Sequence, residues 1–388
     1  MHTPQLQVFE LCLQFLRGKS VSEAKAVDAP CERWHLLKQW MRVQYALDAW
    51  RYREPLEIEA PLVFPPVAVR EEYEQLQVLG SGAFGSVVLS RARSTNELYA
   101  IKSIDKSKIC TEEAARLLAE RQILAAATHP FVIRMEGAFE TATHYHFVLE
   151  YCPGGDLYSL LEATNQMSEA LVIFYTSSIV SALVYLHHAH IAYRDLKPEN
   201  ILLDARGYLR LADFGLAKQK LGPTDTTFSF CGSVDYMAPE VILGCGYGLP
   251  ADVWSLGCVV YEMLTGLPPF YTTRGRRVLF DKICKGQVLY PSYLSPDAIL
   301  FIQRCLDLDP SERWTVEQLL EHPFLNAVDW YQLGIQQVPV PLVPDLRSPV
   351  DTHYFADQFT SQPVAGVLVD TADAFGEFDW HRVEVDSR

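Results

Sequence analysis

The chain has 388 residues, 49% of them hydrophobic and 21% charged, and its 33 Lys+Arg against 48 Asp+Glu give a formal net charge of −15. Such an apolar share excludes a wholly disordered chain and allows a sizeable core, while the acidic balance argues against nucleic-acid or anionic-membrane binding, which need a basic surface. Nine cysteines, an odd number with no C-x-x-C pair, argue against a disulfide framework and a structural zinc site.

At roughly 150 residues per domain, the length predicts two to three structural units. Met1 to Arg17 lacks a basic stretch followed by a clean apolar run, so no secretory signal is expected. Residues 1–70 read as an appendage. Leu6, Phe9, Leu13 and Leu16 predict a short helix ending near Gly18, and Trp34, Leu37, Trp40, Met41, Tyr45 and Trp50 predict another from Glu32 to Arg53. Such apolar faces pack on a neighbouring domain or bind a partner. Pro61, Pro65 and Pro66 mark a linker.

From Tyr73 the texture changes. Gln75 to Leu79, Ser86 to Arg91 and Leu98 to Ile104 read as short strands. Between the first two lies Gly80-Ser81-Gly82-Ala83-Phe84-Gly85-Ser86-Val87, which fits G-x-G-x-x-G-x-V. Its glycines let backbone N–H groups approach phosphate oxygens. Alone it also fits a dinucleotide fingerprint or a plain hairpin turn, but a strand rather than a helix follows, which disfavours the dinucleotide reading. Lys102, in the apolar run Tyr99-Ala100-Ile101-Lys102, would be costly to bury unpaired. Glu120 in the next helix or a nucleotide phosphate would supply its anion; taken alone, a lysine at a strand edge fits too. Thr111 to Ala127 reads as that helix, with Thr111 as N-cap, Glu112 and Glu113 in its first turn and His129-Pro130 beyond its end. Phe131 to Phe139 and Tyr145 to Leu149 read as two more strands.

After Pro153-Gly154-Gly155 the chain turns mostly helical, so a cleft is expected between a strand-rich and a helix-rich part. Ala170 to Leu186 is apolar but shorter than the ~20 residues a bilayer needs, and Thr176, Ser177, Ser178 and Ser181 interrupt it. A buried core helix is expected there, with no transmembrane segment, and hence a soluble intracellular protein, cytoplasmic with the nucleus also open to it. Tyr193-Arg194-Asp195-Leu196-Lys197-Pro198-Glu199-Asn200 then packs an acid, a base and an amide into one loop, and Asp213-Phe214-Gly215 follows. Asn200 and Asp213 offer magnesium hard oxygen ligands. Asp195 would accept a proton from a hydroxyl nucleophile, and Lys197 would neutralise a transferring phosphoryl group. Each residue singly fits an ordinary surface loop; their order and context together do not.

In these motifs the sequence resembles a eukaryotic protein kinase from about Tyr73 to Phe324. The match continues with Met237-Ala238-Pro239-Glu240, Asp252-Val253-Trp254-Ser255-Leu256-Gly257 and Arg313. The resemblance implies an α+β, two-lobed fold, with a β-rich lobe over 73–150 and a helical lobe over 153–324, and it implies ATP and magnesium as cofactors. It implies a Lys102–Glu120 pair, a Glu240–Arg313 pair, and Gly80 to Ser86 over the nucleotide. Leu79 and Val87 would lie above the adenine, Ala100 beside it and Leu202 against it. The hinge Glu150-Tyr151-Cys152 would bond the adenine edge, and Leu149 matches the gatekeeper.

Lys-Pro-Glu-Asn resembles Ser/Thr rather than tyrosine kinases. Tyr193, Glu-Arg-Gln-Ile-Leu around Glu120, and Phe230-Cys231-Gly232-Ser233 resemble the AGC group. That group carries a C-terminal tail, matched over 325–388 by Pro341-Leu342-Val343-Pro344, Tyr354-Phe355 and the hydrophobic motif Phe375-Gly376-Glu377-Phe378-Asp379-Trp380 (375–380). By the same resemblance Ser229 is the activation-loop phosphosite, which an upstream kinase would modify, with Arg194, Lys218 and Arg116 as cationic partners. Asp156, Glu199 and Glu262 fall where basophilic relatives contact protein substrates with Arg or Lys near the target Ser/Thr; structural duties for Glu199 and Glu262 remain open. Phe375 and Phe378 would fill an apolar groove beside the Glu120 helix, and Asp379 stands where many relatives carry a phosphorylated Ser or Thr. Gly232-Ser233-Val234-Asp235-Tyr236 departs from the usual G-T-P-E-Y, and Gln362-Pro363 offers no turn-motif phosphosite. A pseudokinase scaffold and a lipid or small-molecule kinase are the rivals; Lys102, Asp195 and Asp213 speak against the first and the Ala-Pro-Glu segment against the second.

Overall fold

The computed structural model describes residues 72–82, 85–222, 224–364, 367–369 and 378–382; the helices expected within residues 1–70, and Ala83, Phe84 and Phe375, lie outside them. Five antiparallel strands open the fold: β1 (Glu72–Ser81), β2 (Gly85–Ala92), β3 (Leu98–Asp105), β4 (Met135–Glu140) and β5 (His144–Glu150). The short hairpin β6 (Ile201–Leu203) and β7 (Leu209–Leu211) lies between the catalytic-loop residues and Asp213. Two tail strands, β8 (Val367–Val369) and β9 (Trp380–His381), join the sheet, giving the order β8-β1-β2-β3-β5-β4-β9. Strand, not helix, follows the glycine-rich turn, as expected. Gly82 N–H donates to the Gly85 carbonyl at 2.9 Å. A Cβ on Gly85 would run into the Ser103 carbonyl of β3, so the turn can lie close to the sheet only with glycine there.

Helix α1 (Thr111–Ala126) carries Glu120. Its N-cap is Cys110, not Thr111: Cys110 N–H donates to the Glu113 carboxylate at 2.8 Å, and Thr111 is already helical. The strand expected from Phe131 begins only at Met135. Upstream of it, the Phe131 carbonyl and Ile133 N–H are spent on Leu211 of β7, at 2.8 and 2.9 Å. The helical lobe contains α2 (Leu157–Thr164), α3 (Glu169–His188), α4 (Pro250–Thr265), α5 (Arg276–Lys285) and α6 (Pro296–Cys305). Helix α3 is long and apolar enough to cross a membrane, yet 78% of that stretch is buried inside the protein. Two of its interrupting residues are satisfied locally, Ser177 and Ser178 donating to the Phe174 carbonyl at 2.9 and 3.0 Å. One buried cluster runs from Phe147 in the sheet through Leu183 on α3 to Trp254 on α4. The two-lobed α+β architecture expected from the sequence is what the chain forms.

The tail returns from the helical lobe to the sheet. Gly207, at φ +85°, faces the Leu342 carbonyl with no room for a Cβ. Further on, the Tyr151 hydroxyl donates to the Asp351 carbonyl at 2.6 Å, and its ring stacks on Phe355 at 6.1 Å. Gln77 of β1 is held at both ends, by the Thr360 carbonyl at 2.9 Å and the Thr352 hydroxyl at 3.0 Å. Strand β8 then pairs with β1 and β9 with β4, so both edges of the five-stranded sheet are covered.

Candidate active site

Lys102 lies on β3 with Val87 of β2 on one side and Phe147 of β5 on the other; Ala100 pairs with Leu149. The Lys102 ammonium reaches Glu120 on α1 at 2.9 Å and Asp213 at 3.0 Å. Burial works to lower its pKa, but the Glu120 and Asp213 carboxylates outweigh that and raise it, so it stays charged. Asp213 in turn is held below the usual carboxylate range by the Lys102 ammonium. Phe214 is buried edge-on against Tyr193 at 5.0 Å, and the Tyr193 hydroxyl donates to the Ala212 carbonyl.

Asp195 receives four donors. Lys197 Nζ and Asn200 Nδ2 reach Oδ2, both at 2.8 Å, and the Ser233 N–H and hydroxyl reach Oδ1, both at 3.1 Å. Lys197 also donates to the Ser233 hydroxyl at 2.9 Å. The backbone beneath is strained: Arg194 and Asp213, neither of them glycine, have φ of 68° and 54°, a conformation costing about 1–3 kcal/mol each that persists only where surroundings enforce it. At Arg194 that enforcement comes from Asp252, at the start of α4, which accepts the N–H groups of Tyr193 and Arg194 at 2.9 and 2.7 Å and bonds His187 at 2.9 Å.

Asn200 spends its amide N–H₂ on Asp195, its carbonyl oxygen taking no bond among the described residues. Asp213 commits Oδ1 to Lys102 and the Gly215 N–H. Asn200 Oδ1 and Asp213 Oδ2 therefore suit magnesium, which takes one or two protein oxygens and completes its shell with waters and phosphates. No cluster of three or more His, Cys, Asp or Glu metal ligands occurs among the described residues.

The regulatory residues are only partly brought together. Arg194 Nη1 meets the Ser229 hydroxyl at 2.7 Å, while Lys218 instead takes the Thr227 hydroxyl at 2.9 Å. Arg116 is exposed on α1 and joins neither. Tyr247, which sequence reasoning missed, bonds the Ser229 carbonyl at 2.8 Å. Arg313 donates to both oxygens of Glu240, Nη1 to Oε1 at 2.7 Å and Nη2 to Oε2 at 3.0 Å, forming the expected pair. Of the acids, Asp156 caps α2 through the Ser159 N–H at 2.7 Å, and Glu262 accepts the Tyr236 hydroxyl at 2.6 Å. Burial pushes Glu262 up to about 7; the Tyr236 bond opposes this, and Glu199 and Asp235 add to it. Glu199 is likewise raised, chiefly by burial.

Phe378 is buried with its ring against Tyr145 and Phe147 of β5, centroids at 4.7 and 5.2 Å, in the same apolar cluster as Ile123 and Leu124 of the Glu120 helix. Asp379 accepts the Glu140 N–H at 3.0 Å. Ser233 and Asp252 stand in motifs quoted from the sequence, but neither was given a role at the site. Ser233 stood out in the sequence as the end of an AGC-like stretch and as a departure from Thr, whereas its hydroxyl is the feature that touches both Asp195 and Lys197.

A two-lobed fold with an ion-paired strand lysine and an amide-braced aspartate across a cleft defines the protein kinase class. A family model described as "Protein kinase domain" matches residues 73–325, and the chain belongs to that family. It is 40% identical over 75% of its length to a RAC family serine/threonine-protein kinase homolog of Dictyostelium discoideum, 38% over 79% to Ribosomal protein S6 kinase beta of Caenorhabditis elegans, and 33% over 90% to human RAC-beta serine/threonine-protein kinase. The chain spans 66%, 58% and 77% of those relatives respectively. These relatives agree with the AGC-type resemblance.

Proposed function

We propose that this protein is an ATP- and magnesium-dependent Ser/Thr protein kinase acting in intracellular signalling. The observation that carries the reading is the simultaneous assembly of Lys102 with Glu120 and Asp213 and of Asp195 with Lys197 and Asn200. In this reading the substrate hydroxyl forms a bond to the γ-phosphorus as the bond to ADP breaks, and its proton passes to Asp195. Lys102 orients the phosphates; Lys197 stabilises charge on the moving phosphoryl group. Asn200 and Asp213 would hold magnesium, which neutralises phosphate charge when bound. The hinge at Glu150 and Cys152 would bond the adenine edge, with Leu79, Val87, Ala100 and Leu202 lining its faces.

Protein substrates would carry Arg or Lys near the target, met by Asp156, Glu199 and Glu262. Phosphorylation of Ser229 by an upstream kinase would add about −1.5 to −2 charges beside Arg194. We further propose a cytoplasmic location, with the nucleus also open, and partner binding through residues 1–70. The test is labelled-phosphate transfer from ATP to a basic peptide mixture, followed by phosphoamino-acid analysis. Label on Ser and Thr supports the reading; ATP binding without transfer, even after Ser229 is phosphorylated, rejects it in favour of a scaffold. Ser229→Ala protein isolated from its native cell should lose most activity; full activity would reject the switch.

A further inference from the structure

Arg210 lies on β7, its backbone paired with Leu202 of β6, and its side chain is only 9% exposed. Its guanidinium joins two carboxylates. Nε donates to Glu150 Oε1 at 3.1 Å, and Nη2 donates to Asp204 Oδ2 at 3.1 Å. Its Nη1 bonds the Leu209 carbonyl at 2.9 Å. Glu150 ends β5 and begins the hinge. Its Oε1 also takes the Arg134 N–H at 2.8 Å, while its own N–H donates to the Arg134 carbonyl at 2.9 Å. Asp204 Oδ1 accepts the N–H groups of Arg206 and Tyr208, each at 2.9 Å, closing the β6–β7 turn. A guanidinium thus bridges the two lobes behind the hinge, its fork geometry matching both acids.

The cost of removing it is not spread evenly. A largely buried carboxylate that loses its cation must find water, and it moves its backbone to do so. Glu150 would turn outward, taking the hinge with it, whereas Asp204 keeps Arg206 on the same Oδ2 at 3.3 Å and both turn N–H groups on Oδ1, so the hairpin that carries Leu202 loses its tie to the hinge but stays closed.

We propose that Arg210 is a positioning residue for the nucleotide, fixing the hinge backbone at Glu150 and the Leu202 strand at the spacing that grips adenine. This rests on the ATP-binding reading above. Arg210 touches no reacting atom, so its loss should appear in nucleotide affinity rather than in the chemical step.

The test uses the full chain and compares wild type with Arg210→Ala, Arg210→Lys and the double variant Arg210→Met/Glu150→Gln. Steady-state rates against ATP and against a basic peptide are read beside Mg·ATP binding and thermal melting. Arg210→Ala should raise the KM for ATP about tenfold, the scale of losing one charged hydrogen bond, with the KM for peptide and kcat at saturating ATP little changed. Arg210→Lys should recover part of the loss. The double variant removes the stranded Glu150 charge, so its melting temperature should rise above that of Arg210→Ala while its ATP KM stays high. A lowered melting temperature with an unchanged ATP KM in Arg210→Ala would reduce the network to a structural ion pair. ATP affinity that recovers together with stability in the double variant would overturn the proposal as well. Should Arg210→Ala not fold, the Lys and double variants still decide by the same readings. Wild-type protein that binds no ATP would overturn the kinase reading with it, whereas ATP-binding wild type matched by the variants overturns the positioning role alone.

Discussion

The catalytic loop and the docked end of the tail hold their central residues by opposite means. Asp195 is fixed by four donors from Lys197, Asn200 and Ser233, on a strained backbone that Asp252 pins. Phe378 is seated between two flanking rings, with a two-residue strand, the Glu140 N–H bond to Asp379 and the bonds from Arg382 to the Met135 and Ala127 carbonyls beside it. A polar network is directional, and one altered atom leaves its neighbours unpaired. Apolar burial is non-directional and scales with area. Chemistry that needs one oxygen aimed at one proton therefore sits on the first kind of support. A segment that must arrive, dock and leave suits the second.

The largest effect should follow from Asp195→Asn. It is nearly isosteric but gives up the proton acceptor, and general-base catalysis is worth about 10²–10⁴-fold. Turnover should fall on that scale with ATP binding close to wild type, while melting temperature drops slightly because the new amide N–H₂ faces donors that Asp195 accepted. Near-normal phosphate transfer would remove Asp195 from the mechanism and break the contrast at its stronger pole. Next comes Phe378→Ala. Phe-to-Ala changes at well-packed sites cost about 3–5 kcal/mol, but a docked segment can release instead of unfolding the domain, which caps the loss. Activity at matched Ser229 phosphorylation should drop strongly, and hydrogen exchange should quicken along Glu140 and β4. Phe378→Leu should keep most of both. Equal damage from Leu and Ala would show that ring geometry, not area, holds the tail.

The same contrast explains what the sequence disclosed. Asp195, Lys197 and Asn200 sit within six consecutive positions, so their joint chemistry is written in one short stretch. Glu120 was reachable because Lys102 demanded an anion. Ser233 was not, because its bonds to Asp195 span 38 positions and depend on how the intervening loop folds back. Nor was Arg210, an ordinary strand residue until Glu150 and Asp204 close around it. Strands β8 and β9 were invisible for a related reason: three and two residues carry no periodicity, and their partners lie far back in the chain. The N-cap of α1 was misread by one residue because Thr111 has the preferred cap chemistry, whereas the Glu113 carboxylate selects Cys110 through its backbone N–H.

Glu262 sharpens the comparison, as a buried carboxylate whose side-chain donor among the described residues is Tyr236. Its pKa of about 7 makes it neutral below that pH and charged above it. A basic substrate binds the charged form, so the KM for an Arg-containing peptide should fall as pH rises from 6 to 8, by up to about tenfold per unit on the acid side. Glu262→Gln should flatten that profile and leave the ATP KM unchanged. A pH-independent peptide KM in wild type would mean that Glu262 serves Tyr236 alone.

The smallest effect is expected at Asp379. Its carboxylate accepts the Glu140 N–H across 239 positions of sequence, and a net hydrogen bond of this kind is worth about 0.5–1.5 kcal/mol, rather more when charged. Glu140 is partly exposed, so water can replace the lost acceptor. Asp379→Ala should therefore lower activity mildly, with the ring of Phe378 still seated. Asp379→Asn keeps an oxygen acceptor but loses the charge and should fall between Ala and wild type, the gap narrowing at high salt. Because the charge is permanent, docking in wild type should need no phosphate in the tail, and phosphatase treatment that spares Ser229 should leave activity intact. If Asp379→Ala instead loses as much activity as Phe378→Ala, the polar contact carries the docking, and the tail would be held on the same principle as the catalytic loop.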